Sequence, residues 1–313
     1  MSNRILQLDF LKGILIINVI MIHLIYLGEC HPDFKRFLLL FTTPSFFVIS
    51  GYLAHVNKPT QLFSKKVFRW LVPYVIMEGA YIVMASLLPI KEHIDQLTPM
   101  VFLEHLFLLP LGPYWYIHDL IVCYVGYFAL HKVFTVKNSW MVIAYVAIML
   151  VLACSVPQYT SLQSVLFFSI GVVIKHAASS FIKFFHPSWM SLPILLTLYI
   201  FHDSVKIPDL TRNVIISYVA MESLLFVYSY IPTRLTSIIN RIGRNTLAIL
   251  LFSPMFTIIT KLFVPFLSFE PTTILFTVVS LIFTIAGSLA VTYLLDKCKL
   301  SPYLFGEKQY LKR

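Results

Sequence analysis

Charge is scarce in this chain of 313 residues, where Asp, Glu, Lys and Arg together account for only 12%. In a soluble domain such residues make up about a quarter of the chain. Hydrophobic residues make up 58%, and apolar stretches recur from end to end, so no segment is left for a soluble domain of useful size. The scarcity of charge excludes an ordinary soluble protein and predicts an all-α, polytopic membrane protein.

Cysteines are also few, and none of the four lies in a C-x-x-C pattern. We therefore expect neither a disulfide framework nor a metal site. A small-residue cleavage site is lacking after the first apolar run, so we expect this run to stay as a first span rather than to be removed as a signal peptide. The inverted repeat of many transporters is lacking as well.

About ten apolar stretches approach the length that a helix needs to cross a bilayer. They cover residues 8–27, 36–56, 70–89, 114–134, 139–156, 160–177, 189–202, 212–231, 245–267 and 272–296. A shorter apolar piece, residues 100–112, is predicted to be an interfacial or re-entrant helix on the outer side. We expect one integral-membrane domain over residues 1–313, with a core at 8–296 and a basic cytoplasmic tail at 297–313.

Basic residues alternate in number between successive loops. With the N-terminus inside, the inner segments hold 18 of the 24 Lys and Arg residues, the outer loops hold 5, and Lys261 lies within a span. This division fits the positive-inside rule and predicts that both termini are cytoplasmic. It accounts for most of the net charge of +10, so we expect a lipid bilayer, and not nucleic acid, as the partner of these residues.

His23 lies within the first apolar run, eleven residues after Lys12 and fourteen after Asp9. On a helix, Lys12 and His23 lie within about 20° of one face and roughly 16 Å apart along the axis. Asp9 lies within about 40° of that face. An imidazole near mid-depth of a bilayer is either polar glue between helices or a functional group. Asp9 and Lys12 on the same stripe favour a general base, because imidazole titrates near neutrality.

A basic cluster, Lys65, Lys66 and Arg69, marks the cytoplasmic start of the third predicted span. Such clusters are typical membrane anchors that contact lipid headgroups. The alternative is a phosphate clamp, because Lys66 and Arg69 are three residues apart and share one side of a helix.

Three other segments place polar or small residues in apolar surroundings. Trp115, His118 and Asp119 open the fourth span, where they form either an interfacial aromatic belt or a weak sugar site. Asn245 is a candidate helix cap. Gly51, with nearby serines, indicates close helix packing in the second span.

Taken together, these motifs resemble the membrane-bound acyltransferase-3 family. The first span of that family carries Asp, a basic residue three positions later and His eleven positions after that, as Asp9, Lys12 and His23 do here. The remaining matches follow in the family's order along the chain. They are Phe46–Tyr52, the basic pair Lys66 and Arg69 before Pro73, and Gly243–Ile249.

The resemblance implies transfer of an acyl group, commonly acetyl from acetyl-CoA, to a hydroxyl of a cell-envelope glycan or its lipid-linked precursor. It implies that His23 is catalytic and that Lys12, Lys66 and Arg69 hold the acyl-CoA. Asp9, Trp115, His118, Asp119 and Asn245 are then supporting residues. A multi-pass protein of the inner, cytoplasmic membrane is the expected setting.

This chain departs from the family pattern at several positions. Lys12 stands where many members have Arg, and Ser253 precedes Pro254 where many have His. Residues 115–119 replace the S-x-E-x-Q motif of some members, so the chain looks more like the fucose 4-O-acetylase-like branch. We expect no hydrolase-like domain of the SGNH type within residues 1–313, so a relay of the acyl group to one would need a partner protein.

Three other functions compete with this interpretation. Ten spans with buried charge also suit a transporter or flippase for a glycan or lipid-linked sugar. An acyltransferase of another membrane family can use a buried His, although the order of the motifs argues against it. A scaffold or sensor is the third, although scaffolds rarely place charge at mid-membrane.

Overall fold

A computed structural model of the chain describes residues 5–57, 59–88, 92–133, 139–155, 161–178, 180–204 and 207–312. These residues form α-helices, short 3₁₀-helices and connecting turns, and no β-strand occurs among them. The all-α prediction is confirmed. Six of the 24 Lys and Arg residues that were counted for the inner and outer loops lie outside the described residues. They are Arg4, Lys58, Lys91, Lys137, Lys206 and Arg313.

The helices are numbered in chain order. They are α1 (Leu6–His23), α2 (Ile25–Cys30), α3 (Pro32–Tyr52), α4 (Thr60–Leu87), α5 (Pro99–Phe107), α6 (Trp115–Val133), α7 (Ser139–Ser155), α8 (Leu162–Ala177), α9 (Phe181–Phe185), α10 (Ser191–Phe201), α11 (Asp209–Tyr228), α12 (Thr233–Arg244), α13 (Thr246–Ile259), α14 (Val264–Leu267), α15 (Ile274–Lys297) and α16 (Ser301–Phe305). Two 3₁₀-helices, Gly112–Tyr114 and Thr260–Phe263, precede α6 and α14.

Six described stretches are long and apolar enough to cross a membrane. They are Leu6–His23, Thr60–Leu87, Pro99–Lys132, Asp209–Tyr228, Thr246–Leu267 and Ile274–Lys297. The chain therefore has the character of a multi-pass membrane protein. The predicted total of about ten crossings exceeds the six that meet these limits of length and composition.

Three predicted spans differ from the helices. The span at 8–27 is interrupted, because Leu24 has extended backbone angles (φ −74°, ψ 105°) between α1 and α2. Helix α4, which corresponds to the third predicted span, begins at Thr60, ten residues before the predicted start at residue 70, so the basic cluster is helical. In the ninth predicted span the α-helix α13 ends at Ile259, and a 3₁₀ turn connects it to α14. Pro265 lies in the first turn of α14, where proline is tolerated.

The chain divides into two compact units. One comprises Met1–Phe46, Phe181–Cys298 and Tyr310–Arg313, and is called the first-helix unit here. The other comprises Phe47–Ser180 and Lys299–Gln309, and is called the basic-cluster unit.

Helix α1 is the central element of the first-helix unit. It packs against α11, α12, α13 and α15, and Phe10, Leu11, Leu15 and Ile16 are fully buried. Two glycines permit the crossing of α1 and α12. A Cβ atom on Gly13 would collide with the backbone of Ile239, and one on Gly243 would collide with the backbone of Asp9. Small residues at such crossings are the usual means by which membrane helices approach closely.

Helix α15 carries its polar groups inside and its apolar groups outside. Ser280, Thr284, Ser288 and Thr292, four residues apart, are fully buried. The Ser288 hydroxyl donates to the Thr284 carbonyl at 2.7 Å, and Thr292 donates to Ser288 at 2.8 Å. Ile282 on the outer face is 64% exposed. An exposed apolar face over a buried stripe of small hydroxyl residues fits a helix in contact with lipid.

The basic-cluster unit is built around α4, α6 and α8. Helix α4 packs against α5, α6 and α16, and α8 packs against α6 and α7. A Cβ atom on Gly51 would collide with the Phe168 carbonyl, and one on Gly171 would collide with the Val48 carbonyl. The close helix packing predicted for Gly51 is therefore confirmed, and the helix that it approaches is α8.

Candidate active site

His23 is the last residue of α1, directly before the break at Leu24. Its side chain is exposed, while Ile22 and Leu24 on either side are 7% and 0% exposed. The ring nitrogen Nδ1 lies 2.8 Å from the Val19 carbonyl oxygen, one turn earlier. Because a carbonyl only accepts, Nδ1 must carry a proton. In the neutral ring, Nε2 is then the atom with a free lone pair.

The described residues give Nε2 of His23 no hydrogen-bond partner. The Val19 bond thus orients the ring and selects its tautomer, a role that carboxylates or carbonyls perform for many functional histidines. The sequence did not predict this partner, although a carbonyl four residues earlier is within reach of any histidine at a helix end. An accessible, oriented lone pair is what a general base requires.

Asp9 and Lys12 form an ion pair at 2.9 Å on the same helix. The Asp9 side chain is 4% exposed and that of Lys12 is 23% exposed. Since α1 is uninterrupted from Leu6 to His23, the predicted stripe of Asp9, Lys12 and His23 is retained. The buried carboxylate is compensated by Lys12, and the Asp9 carbonyl lies against Gly243, so the first and the last of the quoted motifs meet here.

Asn245, predicted as a helix cap, makes no side-chain cap bond to α13. Its amide nitrogen donates to the carbonyls of Arg241 and Lys312, at 2.8 and 2.9 Å, and its oxygen accepts from the Lys312 amide at 2.9 Å. Asp296 accepts from the amides of Tyr310 and Leu311, at 2.8 and 2.9 Å. The side chains of Asn245 and Asp296 therefore hold residues 310–312 by hydrogen bonds to their backbone groups.

Lys66 is held in an aromatic setting within the basic-cluster unit. Its ammonium lies 4.4 Å from the ring centre of Tyr124 and 4.9 Å from that of Trp70. It also donates to the Tyr124 hydroxyl at 3.2 Å, which in turn donates to the His55 carbonyl at 3.0 Å. These contacts combine cation–π attraction with hydrogen bonding.

Arg69 has a different neighbour from Lys66, although the two are three residues apart. Its guanidinium pairs with the Glu307 carboxylate at 2.9 Å. Arg69 also lines a cavity of 440 Å³ together with Lys65, whereas Lys66 is not among the lining residues. The i, i+4 pair Lys65 and Arg69, rather than the predicted i, i+3 pair, presents its charges to one space.

His118 and Asp119 are buried, at 6% and 5% exposure. The His118 ring contacts the Phe107 carbonyl through Nε2 at 2.9 Å and the Asp119 carboxylate through Nδ1 at 3.3 Å. Asp119 accepts from the Ser164 hydroxyl at 2.6 Å and from the Ser161 amide at 3.3 Å, at the start of α8. These bonds join α6 to the end of α5 and to the start of α8. Trp115, at 38% exposure, lies at the surface.

Comparison with known proteins identifies the chain at the level of a family. The model of the acyltransferase-3 family, described as an acyltransferase domain, matches residues 5–293. The chain belongs to the acyltransferase-3 family. No curated protein and no solved structure matches it significantly. Among the described residues of this acyltransferase, no group of three or more His, Cys, Asp or Glu side chains is arranged to hold a metal ion.

Sequence reasoning missed several polar residues in this acyltransferase. Glu307 pairs with Arg69, and Asp296 holds the chain end. Glu307 is the single acidic residue among the basic residues of 297–313, which is a signal that the sequence contains. The connection between Glu307 and Arg69 spans 238 positions and has no local signature.

Proposed function

We propose that this membrane acyltransferase moves an acetyl group from cytoplasmic acetyl-CoA to a hydroxyl of a cell-envelope polysaccharide or its lipid-linked precursor. The proposal includes a single domain over residues 1–313, about ten crossings of the inner membrane, both termini in the cytoplasm, and membership of the fucose 4-O-acetylase-like branch. The observation that carries it is the exposed His23 ring, whose bond to Val19 leaves Nε2 ready to accept a proton.

Acetyl-CoA supplies the acetyl group as a thioester. Nε2 of His23 accepts the proton of the acceptor hydroxyl while that oxygen forms the new ester bond to the acetyl carbonyl carbon. The carbon–sulfur bond breaks, and the His23 imidazolium returns its proton to the departing thiolate. The ring is therefore neutral again at the end of the cycle. Val19 keeps the donating nitrogen fixed, so each cycle begins with the same tautomer.

The cations of the basic-cluster unit suit an acyl donor that carries phosphates. Arg69 lines a cavity of 440 Å³, within the range of small-molecule sites, and its planar fork matches phosphate oxygens. Lys66 contacts the rings of Trp70 on α4 and Tyr124 on α6, so its role is to shape this region. Lys12 is assigned to the donor by the family motif, and its ion pair with Asp9 orients it.

The remaining predicted residues have a supporting role. His118 and Asp119 join α6 to the start of α8 and to the Phe107 carbonyl. Asn245 holds the chain end, and Trp115 contributes an aromatic ring at the surface.

The proposal is tested with envelope membranes from cells that have or lack this gene, supplied with acetyl-CoA labelled in its acetyl group. We expect label in the glycan fraction, and a mass increase of one acetyl group, only when the gene is present. Movement of glycan across the membrane without any acyl donor, and with no label in glycan, would instead identify a flippase.

A further inference from the structure

A cavity of 370 Å³ lies beside the kink that follows His23. It belongs to the first-helix unit and is formed by α2, the 3₁₀ turn Thr260–Phe263, α14 and the start of α15. Its volume is within the range of about 300–1,000 Å³ that is typical of small-molecule sites. None of the residues proposed to hold the acyl donor lines it.

The wall of this cavity begins close to His23. Ile25 lines the cavity and is two residues after His23, and two residues of chain span at most about 7 Å. Leu24, between them, is fully buried in a cluster with Leu27 and Phe276. The cluster ties the kink to the start of α15. A ligand in the cavity therefore lies beside the side chain proposed as the general base.

The cavity is lined by one cation and one anion. Lys261 is the only ionisable side chain in the apolar stretch Thr246–Leu267, where such a group is costly and is a functional candidate. Glu29 lines the same cavity. Both side chains are exposed, and neither has an ion-pair partner in the part of the chain that the structure describes. An ammonium that donates and a carboxylate that accepts are therefore available to a ligand with several hydroxyl groups.

An aromatic pair completes the lining. The rings of Tyr26 and Phe276 meet edge to face, with their centres 5.1 Å apart. Phe276 is 1% exposed, whereas Tyr26 is half-buried, so Phe276 fixes the ring and Tyr26 has surface to offer. Aromatic surface with a few polar groups beside it is the usual composition of a small-molecule site. A sugar ring suits this lining because it has an apolar C–H face and hydroxyl groups around its edge.

The balance of charge favours one class of sugar. An acidic sugar would bring its carboxylate near Glu29, and an amino sugar would bring its ammonium near Lys261. Each of these contacts places like charges together, which acts against the charged ligand. A neutral sugar has neither conflict.

From these observations we infer that the cavity binds a neutral hexose unit of the acceptor glycan. Tyr26 packs against the C–H face of the ring, Lys261 donates to its hydroxyl groups and Glu29 accepts from them. In the proposed topology the cavity lies at the outer ends of α1 and α13, on the side of the envelope glycans. This inference rests on the proposed function, because it names the class of sugar that accepts the acetyl group.

The test is a titration by saturation-transfer NMR of the purified full-length protein in lipid nanodiscs. The neutral probes are the methyl α-glycosides of glucose, galactose, mannose and fucose, and the charged probes are those of glucuronic acid and glucosamine. We expect at least one neutral glycoside to bind about tenfold more tightly than either charged one. Tyr26→Ala is expected to weaken that binding about tenfold through loss of the ring, while Tyr26→Phe keeps the ring and the affinity.

The two charged residues are tested by a change of preference. Glu29→Gln leaves Lys261 unbalanced, so the glucuronide is expected to gain about tenfold relative to the neutral glycoside. Lys261→Met leaves Glu29 unbalanced, so the glucosaminide is expected to gain by a similar factor. A residue with a merely structural role would weaken all probes alike. Unchanged preferences in both variants would contradict the roles of Glu29 and Lys261.

Matched controls remove the same chemistry at the other end of α15. Tyr293→Ala removes a ring that is 55% exposed, and Lys297→Met removes an exposed charge. Both are expected to bind the glycosides like the wild type. Equal affinities for the wild type and Tyr26→Ala would overturn the inference, as would a wild type that binds none of the neutral glycosides. Binding that occurs in phosphatidylglycerol but is lost in phosphatidylethanolamine would instead assign the cavity to a zwitterionic headgroup.

The failure of this inference is distinguishable from failure of the proposed function. If acetyl transfer occurs and the Michaelis constant for the glycan is unchanged in Tyr26→Ala and Lys261→Met, the cavity is not the acceptor site although the enzyme is an acetyltransferase. If the glycosides bind and the variants change their binding as expected, the sugar site stands even where no acetyl transfer to glycan is found.

Discussion

The bond between His23 and the Val19 carbonyl determines what this side chain can do. A histidine with both nitrogens engaged would be polar glue between helices. Here one nitrogen is bound within the same helix, at 2.8 Å, and the ring is exposed. The helix breaks at Leu24 and α2 begins at Ile25, so His23 lies directly before the kink between the two helices.

For Lys66, we predict an effect on stability. Lys66→Met should lower the melting temperature of the purified protein by a few degrees, because it removes attraction to two rings that is worth roughly 0.5–2 kcal/mol. The neighbouring Lys65→Met is the control, since Lys65 is exposed and its charge contacts no described carboxylate. Equal melting temperatures for Lys66→Met and the wild type would show that the aromatic setting contributes nothing to folding.

Most of the long helices could be located from apolar stretches of the sequence, because the residues that face lipid and those that face the core are both apolar. The sequence could not predict the break after His23, since Leu24 is an ordinary helix former. The early start of α4 at Thr60 was also missed, because the sequence there does not have the apolar character of a span. Residues 60–69 are polar enough to resemble a loop, yet they form a helix in which Lys66 contacts Tyr124 of α6 and Arg69 pairs with Glu307.

The crossing of α1 and α12 depends on its two glycines. Gly243→Ala is expected to destabilise the protein by about 1–3 kcal/mol, because the added methyl group meets the backbone of Asp9 and neither helix can yield cheaply. The measurement is thermal unfolding together with abundance in the membrane.

Gly79→Ala is the matched control for this substitution. Gly79 is also within a helix, but its Cβ atom would lie 3.4 Å from the Phe102 side chain, an ordinary contact. It should be neutral or slightly stabilising, since alanine favours the helix. Equal stability of the two variants would contradict the close crossing.

The link between α6 and α8 depends on Asp119. Asp119→Ala should reduce the stability by about 1–3 kcal/mol, because the Ser164 hydroxyl and the Ser161 amide at the start of α8 lose their acceptor. Asp95→Ala, at a carboxylate that is 95% exposed, is expected to have no effect. Chemical or thermal unfolding measures both. A change in acceptor specificity with unchanged stability would instead favour the sugar site that the sequence suggested.

For the molecule as a whole, the positive-inside rule makes a prediction about orientation. In a cysteine-free background, Lys312→Cys should resist a membrane-impermeant thiol reagent in intact cells, while Lys35→Cys should react with it. Both should react after the cells are opened. Labelling of Lys312→Cys in intact cells would reverse the proposed topology.

The family and the helical class follow from the sequence because ordered motifs and apolar periodicity are local features. The candidate site was predicted less completely, because its partners are distant along the chain. Arg69 and Glu307 are 238 positions apart, and Asn245 and Lys312 are 67 apart. Such pairs depend on how the helices pack, and no local sequence pattern around one residue identifies its distant partner.

The central claim, that His23 is the general base, is tested most directly by the rate of acetyl transfer from acetyl-CoA to glycan by purified protein in lipid. We predict that His23→Ala lowers this rate by about 10²–10⁴, with unchanged abundance and melting temperature. His105→Ala, which loses a similar bond from Nδ1 to a backbone carbonyl, should transfer like the wild type. A His23→Ala protein that acetylates glycan at the wild-type rate would contradict the account.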